Sequence, residues 1–369
     1  MLDMDLSTYW LMVIRRFDKC LHLNLLRGRA LGKMLEGFKS SDVGKGFGSG
    51  AASSIGNQAT GGEIISGQLQ TIAGVTYRYH YFKSPGSLIF PERGDFNGDV
   101  DVLIVGGGGS GGNRSGGGGG AGGIAVGTNI VFPGVGQLTI PITVGDGGPV
   151  AGNNDSRGNN GSDSLFGASP NPYYVIGQGG GYGGGDGNTS GGPGGSGGGG
   201  HYGNPGGSAS QPGANPGKSW VANYGRAGSN GHGAPQHNSG AGGGAGSAAV
   251  GGASNDRGAA GDGENFPTIW DVTNYMPNAD PYWPGISPLP GTHYGGGGGG
   301  GDYPPYLPHR MPVNATNGGG GPGGPTSGPG NGTQGVDGLG GGGGGGCGDS
   351  PGPKGGKGGN GIVVVRYRT

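Results

Sequence analysis

The amino-acid sequence predicts a mainly β and irregular fold. We expect a small β-sheet domain, closed by the C-terminal strand, that bears a lattice of polyglycine II helices, with an α-helical segment at the N-terminus. Three observations lead to this fold class. Only 15 of the 107 glycines in the 369-residue chain precede residue 106. Strand-like segments bracket the glycine-rich region. Hydrophobic residues make up only 30% of the chain, too few for a conventional core over its whole length.

Residues 1–38 are predicted to form an amphipathic helix that serves as an anchor or an oligomerisation segment. Trp10, Ile14, Phe17 and Leu21 recur at steps of three and four residues, which is the spacing of one helix face. No core lies nearby in the sequence to bury this face, so we expect it to dock onto a partner protein, a membrane surface or copies of itself. Packing of the helix on its own domain is the other interpretation. An over-extended gene start is the alternative, with translation beginning at Met34. Residues 39–58 are predicted to be a Gly/Ser linker.

Residues 59–150 are predicted to form the β domain, because β-branched and aromatic residues cluster there between turn residues. Pro141 suggests that its strand lies at a sheet edge. Residues 362–369 read as a closing strand with no successor, and an isolated strand needs a sheet to join. We expect it to pair with the strand at 100–105, which makes the glycine-rich region a closed excursion. The strands are predicted at 75–82, 87–90, 100–105, 138–144 and 362–367.

Residues 151–361 are predicted to form a polyglycine II body with aromatic loops. Ordering so many glycines is costly, and few side chains are available to offset the cost by burial. The region is therefore either disordered or held by backbone hydrogen bonds in bulk. Extended helices with three residues per turn leave every N–H and C=O free for neighbouring chains. The aromatic connectors favour order, because disordered linkers contain few aromatic residues.

The aromatic connectors are also the best candidates for binding a receptor. Tyr and Trp provide a large contact area at low entropic cost. The alternative is that they fold back over the lattice as its apolar cover, and we expect some of each. The receptor-contact candidates are His201, Tyr202, Trp220, Tyr224, Trp270, Tyr275, Tyr282, Trp283, Tyr294, Tyr303, Tyr306 and His309.

Several functional classes are not expected from the sequence. The 21 basic and 22 acidic residues balance, which argues against a nucleic-acid partner. No apolar run is long enough to insert into a membrane. Cys20 and Cys347 lack metal-ligand spacing, and no catalytic constellation stands out, so we expect no metal, no cofactor and no enzymatic activity. Residues 213–219 have the wrong spacing for a phosphate-binding loop.

Three segments resemble the glycine-rich domain of tailed-phage fibre and appendage proteins: 101–109 (DVLIVGGGG), 143–148 (TVGDGG) and 359–367 (GNGIVVVRY). Residues 59–62 (ATGG) leading to 77–82 (YRYHYF) fit the usual opening of that domain. The resemblance covers about residues 59–369. It implies a polyglycine II sandwich in a virion appendage, with loops that contact the bacterial receptor.

The resulting hypothesis is a non-catalytic adhesin of a phage tail fibre or other surface appendage. Its expected partners are an outer-membrane protein or polysaccharide of the host and, through the N-terminal segment, other virion proteins or a homo-oligomer such as a trimer. The first alternative is a capsid or tail decoration protein that contacts neighbouring virion subunits. The second is an ice-binding protein with a similar lattice, but such proteins repeat Gly at every third position and this chain does not.

Overall fold

A computed structural model of the chain describes most of the unit formed by residues 53–369. The described residues are 58–63, 68–92, 96, 100–152, 156–187, 189–233, 238–251, 259–266, 293–301, 317–325, 330–348 and 352–369. The predicted N-terminal helix, its docking residues Trp10, Ile14, Phe17 and Leu21, and nearly all of the linker lie outside this part of the chain.

The described part is mainly antiparallel β-sheet. It contains very little helix, and the one helical element named in it is a 3-10 turn at Gln211–Gly213. The strands are β1 (Gln68–Ile72), β2 (Val75–Phe82), β3 (Gly86–Phe90), β4 (Val100–Val105), β5 (Ile124–Ile130), β6 (Leu138–Thr143), β7 (Ser164–Phe166), β8 (Val175–Gly177), β9 (Val221–Tyr224), β10 (Glu264–Asn265), β11 (His293–Tyr294) and β12 (Ile362–Arg368).

The C-terminal strand pairs with the strand at residues 100–105, as predicted, and it lies inside the larger sheet. This sheet has six strands in the order β1-β2-β12-β4-β5-β9. β12 pairs with β4 from Ile362 opposite Val105 to Tyr367 opposite Val100, and with β2 on its other side. Every residue of β4 is buried, so both faces of the sheet centre are covered. This explains why most residues of the two central strands are apolar.

A four-stranded sheet in the order β3-β6-β7-β8 packs on one face of the larger sheet. The prediction that Pro141 marks an edge strand is wrong, because β6 has partners on both sides. On the β6 side, β7 pairs with Ile142 and Thr143, and β7 ends at Phe166. The Pro141 carbonyl accepts a hydrogen bond from the Gly167 N–H at 2.9 Å, where the chain leaves the sheet. Because the partner strand β7 is short, the absence of an N–H group on Pro141 removes little of the hydrogen bonding between β6 and β7.

The strands of both sheets continue into glycine-rich extended segments, which we call rods. Successive backbone N–H groups of residues 106–114 donate to three different neighbouring rods, and the order repeats every three residues. Every third N–H, at 106, 109 and 112, bonds to residues 117–123. The next set bonds to residues 156–162, and the last set to residues 353–359. This rotation is what extended helices with three residues per turn produce when they lie side by side.

The same rod accepts hydrogen bonds from three further segments. The amides of Gly180 and Gly183 donate to residues 107 and 110, those of Gly343 and Gly346 donate to residues 109 and 112, and that of Gly148 donates to residue 108. The rod therefore has six neighbours and is buried along its length, apart from partial exposure of its last residue. Backbone hydrogen bonding, rather than side-chain packing, holds the interior of this array.

Polar side chains complete the hydrogen bonding at the edges of the array. The side-chain amide oxygen of Asn160 accepts a hydrogen bond from the Tyr182 N–H at 2.9 Å, and a carboxylate oxygen of Asp163 accepts one from the Gly179 N–H at 2.8 Å. Their spacing of three residues keeps both side chains on the same side of the rod. Four further pairs follow the same pattern: Asn230 with Gly206, Asn331 with Lys354, Asp337 with Asn360, and Asn360 with Gly147.

The rods give the array two distinct ends. Residues 106–112 lead away from β4, turn at residues 113–115, and return through residues 117–123 to β5. We call the turn at 113–115 and the residues bonded to it the distal end, and the region where rods meet strands the sheet end. Strands and rods alternate along the chain, because rods begin at 106 while β7, β8 and β9 follow residue 150.

Residues from the sheet end of the array cover the second face of the six-stranded sheet. Tyr294, Leu339 and Ala245 are buried against strand residues that include Leu103 and Val364. The larger sheet therefore lies between two apolar clusters, one shared with the smaller sheet and one shared with the array. The array is therefore held to the sheets in two ways. Its rods continue directly from the strands, and its apolar residues pack on one face of the larger sheet.

Candidate functional site

The distal end presents turns whose residues interrupt the glycine runs. Arg114 and Ser115 adopt left-handed backbone conformations with φ of 49° and 51°. This conformation reverses the chain between two interior rods and is uncommon for residues other than glycine. The Arg114 N–H donates to the Pro353 carbonyl at 2.9 Å, which holds the turn against a neighbouring rod. The array thus fixes the direction in which the Arg114 side chain leaves the turn.

An ionic cluster joins three of these turns. An Arg114 guanidinium nitrogen lies 3.1 Å from one Asp186 carboxylate oxygen, and His201 Nε2 lies 3.7 Å from the other. The His201 ring is almost completely buried, whereas the Arg114 and Asp186 side chains are partly exposed. Burial lowers the pKa of His201, and the Asp186 carboxylate opposes that shift. The exposed edge of the cluster offers both a cation and an anion to a ligand.

A second polar feature lies beside the same end. The Arg157 guanidinium carbon lies 4.5 Å from the centre of the Tyr182 ring, and Arg157 Nη1 donates to the Tyr182 hydroxyl at 2.8 Å. An open cleft of about 290 Å³ adjoins this pair. The cleft is lined by Ala151, Gly152, Ser156, Arg157, Gly158 and Asn159. The Asn113 N–H donates to the Ser156 carbonyl, which puts the cleft at the distal end.

Only two of the predicted receptor-contact residues lie at the distal end within the described part. His201 is buried in the ionic cluster, and Tyr202 follows it, half-buried, with φ of 26°. The Asn204 side-chain amide donates to the carbonyls of both residues, which stabilises this turn. His201 therefore acts as a support for the turn, and Tyr202 is the residue of the two with more exposed surface.

Three other candidates lie at the sheets. Trp220 packs partly buried on the core between the sheets, and its carbonyl accepts the Thr128 N–H at 3.0 Å. Tyr224 contacts Phe266 edge-on, with ring centres 5.4 Å apart. Tyr294 is fully buried in the cluster between sheet and array, so it has no exposed surface with which to contact a partner. Tyr294 therefore fits the alternative to receptor contact, in which an aromatic residue serves as apolar cover inside the protein.

The remaining candidates lie outside the described residues: Trp270, Tyr275, Tyr282, Trp283, Tyr303, Tyr306 and His309. Their described neighbours mark where the chain departs. Phe266 and His293, which flank residues 267–292 in the sequence, lie at the sheet end. Gly301, which precedes residues 302–316 in the sequence, lies at the distal end, and its N–H donates to the Gly116 carbonyl at 2.7 Å. Asn317 follows them at the sheet end, where its carbonyl accepts the Gly263 N–H.

Sequence reasoning did not select Arg114, Asp186, Arg157 or Tyr182. Glycine-rich text offers no periodicity from which to infer exposure. The available signal was the interruption itself, because the charged or aromatic residue between two glycine runs marks either a turn or an outward-facing rod position. Within the described residues, no group of three His, Cys, Asp or Glu side chains is arranged to hold a metal ion. No helix found there has the length and apolarity needed to cross a bilayer.

Comparison with known protein families identifies a match over most of the chain. A family model described as "Glycine-rich domain" matches residues 93–368, which include strands β4 to β12 and all of the rods. A search of curated proteins found none that matches the chain. The match begins before the first interior rod and ends at the last residue of the closing strand.

Proposed function

The chain belongs to the glycine-rich domain family, and from this premise we propose that it is a virion protein of a phage tail fibre or other appendage, acting as a non-catalytic adhesin for the bacterial surface. The family match covers more than half of the chain. The link to phage appendages comes from the resemblance of residues 101–109, 143–148 and 359–367. The single observation that carries the proposal is a rigid array whose far end displays fixed polar turns.

We infer further that the rods form a polyglycine II lattice. The support is the threefold rotation of donors along residues 106–114 and the six neighbours of that rod. A seven-residue rod such as 295–301 then spans about 20 Å, at about 3.1 Å per residue. Such a lattice holds its turns in fixed positions without a large apolar core. Preorganised turns lose little conformational entropy when they bind.

The direction of the array supports separate attachment and binding ends. The Ala59 N–H donates to the Tyr367 hydroxyl at 3.1 Å, and Tyr367 pairs with Val100 at the end of β4 remote from the rods. The chain therefore enters the sheets at the end opposite to the distal turns. In the proposed function, the sheet side faces the virion, and the distal end faces the host.

The chemistry of the distal end suits a polar or saccharide-bearing partner. The Arg157–Tyr182 pair offers guanidinium donors and an aromatic ring beside an open cleft. Arg114 and Asp186 add a cation and an anion close to the same end. The host partner proposed is an outer-membrane protein or polysaccharide, and many copies on one particle would raise the avidity of a weak single contact.

The adhesin proposal is tested by competition for host adsorption, with a matched pair of variants. Purified full-length protein is added to host cells before the phage, and residual adsorption is measured. The distal variant is Arg157→Ala with Tyr182→Ala. The control is Lys218→Ala with Tyr174→Ala, which removes a second cation–π pair, 5.2 Å apart, from the sheet side. We expect the distal variant to compete about tenfold less well and the control to match wild type.

Equal competition by both variants would overturn the distal site, and no competition by wild type would overturn the adhesin. The location is tested by immunogold electron microscopy of purified particles with an antibody raised against residues 264–317. Label at the outer ends of appendages supports the proposal. Label over the capsid or tail tube favours the decoration protein instead, in which the same residues contact neighbouring subunits.

A further inference from the structure

Residues 58–63 form a short strap that contacts both sheets, and it begins at the end remote from the rods, where the Ala59 N–H donates to the Tyr367 hydroxyl. Thr60 bridges to Ile89 of β3 through two backbone hydrogen bonds of 2.9 and 2.8 Å. The Glu63 N–H donates to the Tyr81 carbonyl of β2 at 2.8 Å. The strap therefore holds β3 of the smaller sheet and β2 of the larger sheet at once. It also occupies an edge of β3 that would otherwise be open to pairing.

His80 lies under the middle of the strap. Its ring is buried, and its Nδ1 lies 2.8 Å from the Gly61 carbonyl oxygen. The ring also stacks on Tyr367, with ring centres 5.7 Å apart and planes inclined by 20°. Tyr367 accepts the Ala59 N–H, so these two rings contact consecutive parts of the strap. His80 is the only one of the two rings that titrates near neutral pH.

The geometry around His80 favours its neutral form. Because a carbonyl oxygen accepts from Nδ1, the proton of the neutral ring is assigned to Nδ1, which leaves Nε2 as a bare acceptor. Nε2 is buried and has no hydrogen-bond partner among the described residues. A proton on Nε2 would create a buried N–H donor without an acceptor, which is costly.

The charged and titratable neighbours do not offset this cost. Arg78 on the same strand repels a positive ring, and Tyr367 of β12 contributes a neutral phenol. The Glu63 carboxylate of the strap accepts hydrogen bonds from the Lys83 N–H and the Ser84 hydroxyl instead. Burial is the largest cause that lowers the pKa of His80, and Arg78 adds to it, while the hydrogen bond to Gly61 opposes it.

We propose that the strap is a pH-sensitive latch, which opens when His80 takes up a proton. The proposal does not depend on the identity of the receptor. When the strap opens, the ring reaches water and regains its ordinary pKa of 6.5. Above that pH both states are neutral and the strap is fully held. As the pH falls below it, the open state binds the proton more readily, so opening becomes more favourable until the pH reaches the lowered pKa of the closed state.

The test is amide hydrogen exchange of the full chain between about pH 7.5 and pH 5, corrected for the intrinsic pH dependence of exchange. The reporters are the amides of Thr60, Glu63 and Ile89, which the strap protects. Val364, in the centre of the larger sheet, is the internal reference. We expect protection of the strap amides to fall by about tenfold over this range, while that of Val364 stays constant.

Three variants separate the latch from general loss of structure. His80→Asn keeps a donor for the Gly61 carbonyl and does not titrate, so its strap protection should not change with pH. His232→Asn is the control and should behave as wild type. Gly61→Ala should open the strap at every pH, because Gly61 has φ of 120° and an added methyl group would overlap the Ser87 carbonyl oxygen.

Two results would overturn the latch: constant protection of the strap amides in wild type, or the same pH-dependent loss in His80→Asn. Should His80→Asn fail to fold, the wild-type protein decides by NMR titration. The His80 ring resonances and the Ile89 amide should then share one midpoint, and separate midpoints would contradict the coupling.

Discussion

At many interior glycines of the array a side chain would overlap the backbone of a neighbouring rod, which makes single glycines unusually informative. A methyl group at Gly109 would overlap the Gly181 carbonyl oxygen, and backbone cannot move aside as a flexible side chain can. At Gly152, by contrast, an added methyl group would meet no atom of the described residues within 4 Å, its two chain neighbours aside. The two positions carry the same residue type, so they form a matched pair for measuring the cost of close rod packing.

We predict that Gly109→Ala lowers the free energy of unfolding by about 3 kcal/mol or more, because a tightly packed backbone must shift. Gly152→Ala should change it by about 0.5 kcal/mol at most, or raise it slightly by restricting the unfolded chain. Urea denaturation of both variants beside wild type provides the measurement. A similar small effect at both sites would contradict tight packing at Gly109.

Asn331 tests whether polar side chains complete the edge of the array. Its Oδ1 accepts the Lys354 N–H at 2.8 Å, in place of the carbonyl of a further rod. We predict that Asn331→Ala speeds hydrogen exchange at the Lys354 amide by about tenfold, since it removes one hydrogen bond of about 1 kcal/mol. Asn331→Asp keeps an acceptor at the same position and should retain the protection. Equal exchange in the Ala and Asp variants would argue against an edge role.

At the scale of elements, the closing strand is held by an ion pair as well as by its ladder. Arg366 of β12 donates to the Asp101 carboxylate of β4 at 2.9 and 2.7 Å, and both side chains are largely buried. The Arg366 guanidinium also lies 4.4 Å from the centre of the Tyr77 ring of β2. The pair thus links three adjacent strands of the larger sheet.

We predict that Arg366→Leu costs about 3–5 kcal/mol of stability, because it leaves Asp101 as a buried charge without its partner. Removing both partners, with Asp101→Leu and Arg366→Leu, should recover much of that loss. A double-mutant cycle by chemical denaturation measures the coupling. Additive losses in the double variant would show that the two side chains act independently.

The sequence predicted the elements whose side chains carry a pattern. β2 and β4 begin and end where expected, and β12 pairs with β4 as inferred from its need for a sheet. β5 was missed because Gly127 interrupts its apolar run, although Gly127 pairs with both Val102 and Val221. The short strands β7, β8 and β9 are held by their neighbours and carry too few residues to show an alternation.

The candidate site was less accessible to sequence reasoning for a related physical reason. Whether a side chain on a rod is buried or exposed depends on which rods lie beside it. A run of glycines carries no pattern from which its neighbouring rods can be predicted. Tyr294 and Tyr202 both adjoin glycines, yet the first is fully buried and the second half-buried. The pairing of Arg114 with Asp186 joins two turns that are far apart in the chain. The sequence singled out the aromatic residues, but it did not show which of them lie at the distal end and which lie at the sheet end.

At the scale of the whole molecule, strands and rods form one hydrogen-bonded system. β4 continues into residues 106–112, and residues 353–361 continue into β12, so the same chain segments belong to sheet and array. Contacts across the array join residues as distant as Asn113 and Gly355, whose separation is 242 positions. A rod makes no internal hydrogen bonds, so its hydrogen-bonded order depends on the neighbouring rods. The array and the sheets should therefore fold and unfold together.

Amide hydrogen exchange can test this cooperativity directly. We predict that the interior amides Gly109, Gly120 and Gly343, each bonded to another rod, exchange with the same opening free energy as Leu103 of β4. Denaturant should shift all four to the same extent, since one global unfolding event would expose them. Exchange of the glycine amides at random-coil rates, with Leu103 still protected, would mean that the sheets stand alone and that the array is not ordered in solution. In that case the distal turns would not be held in place, and a fixed receptor-binding surface at that end would lose its structural basis.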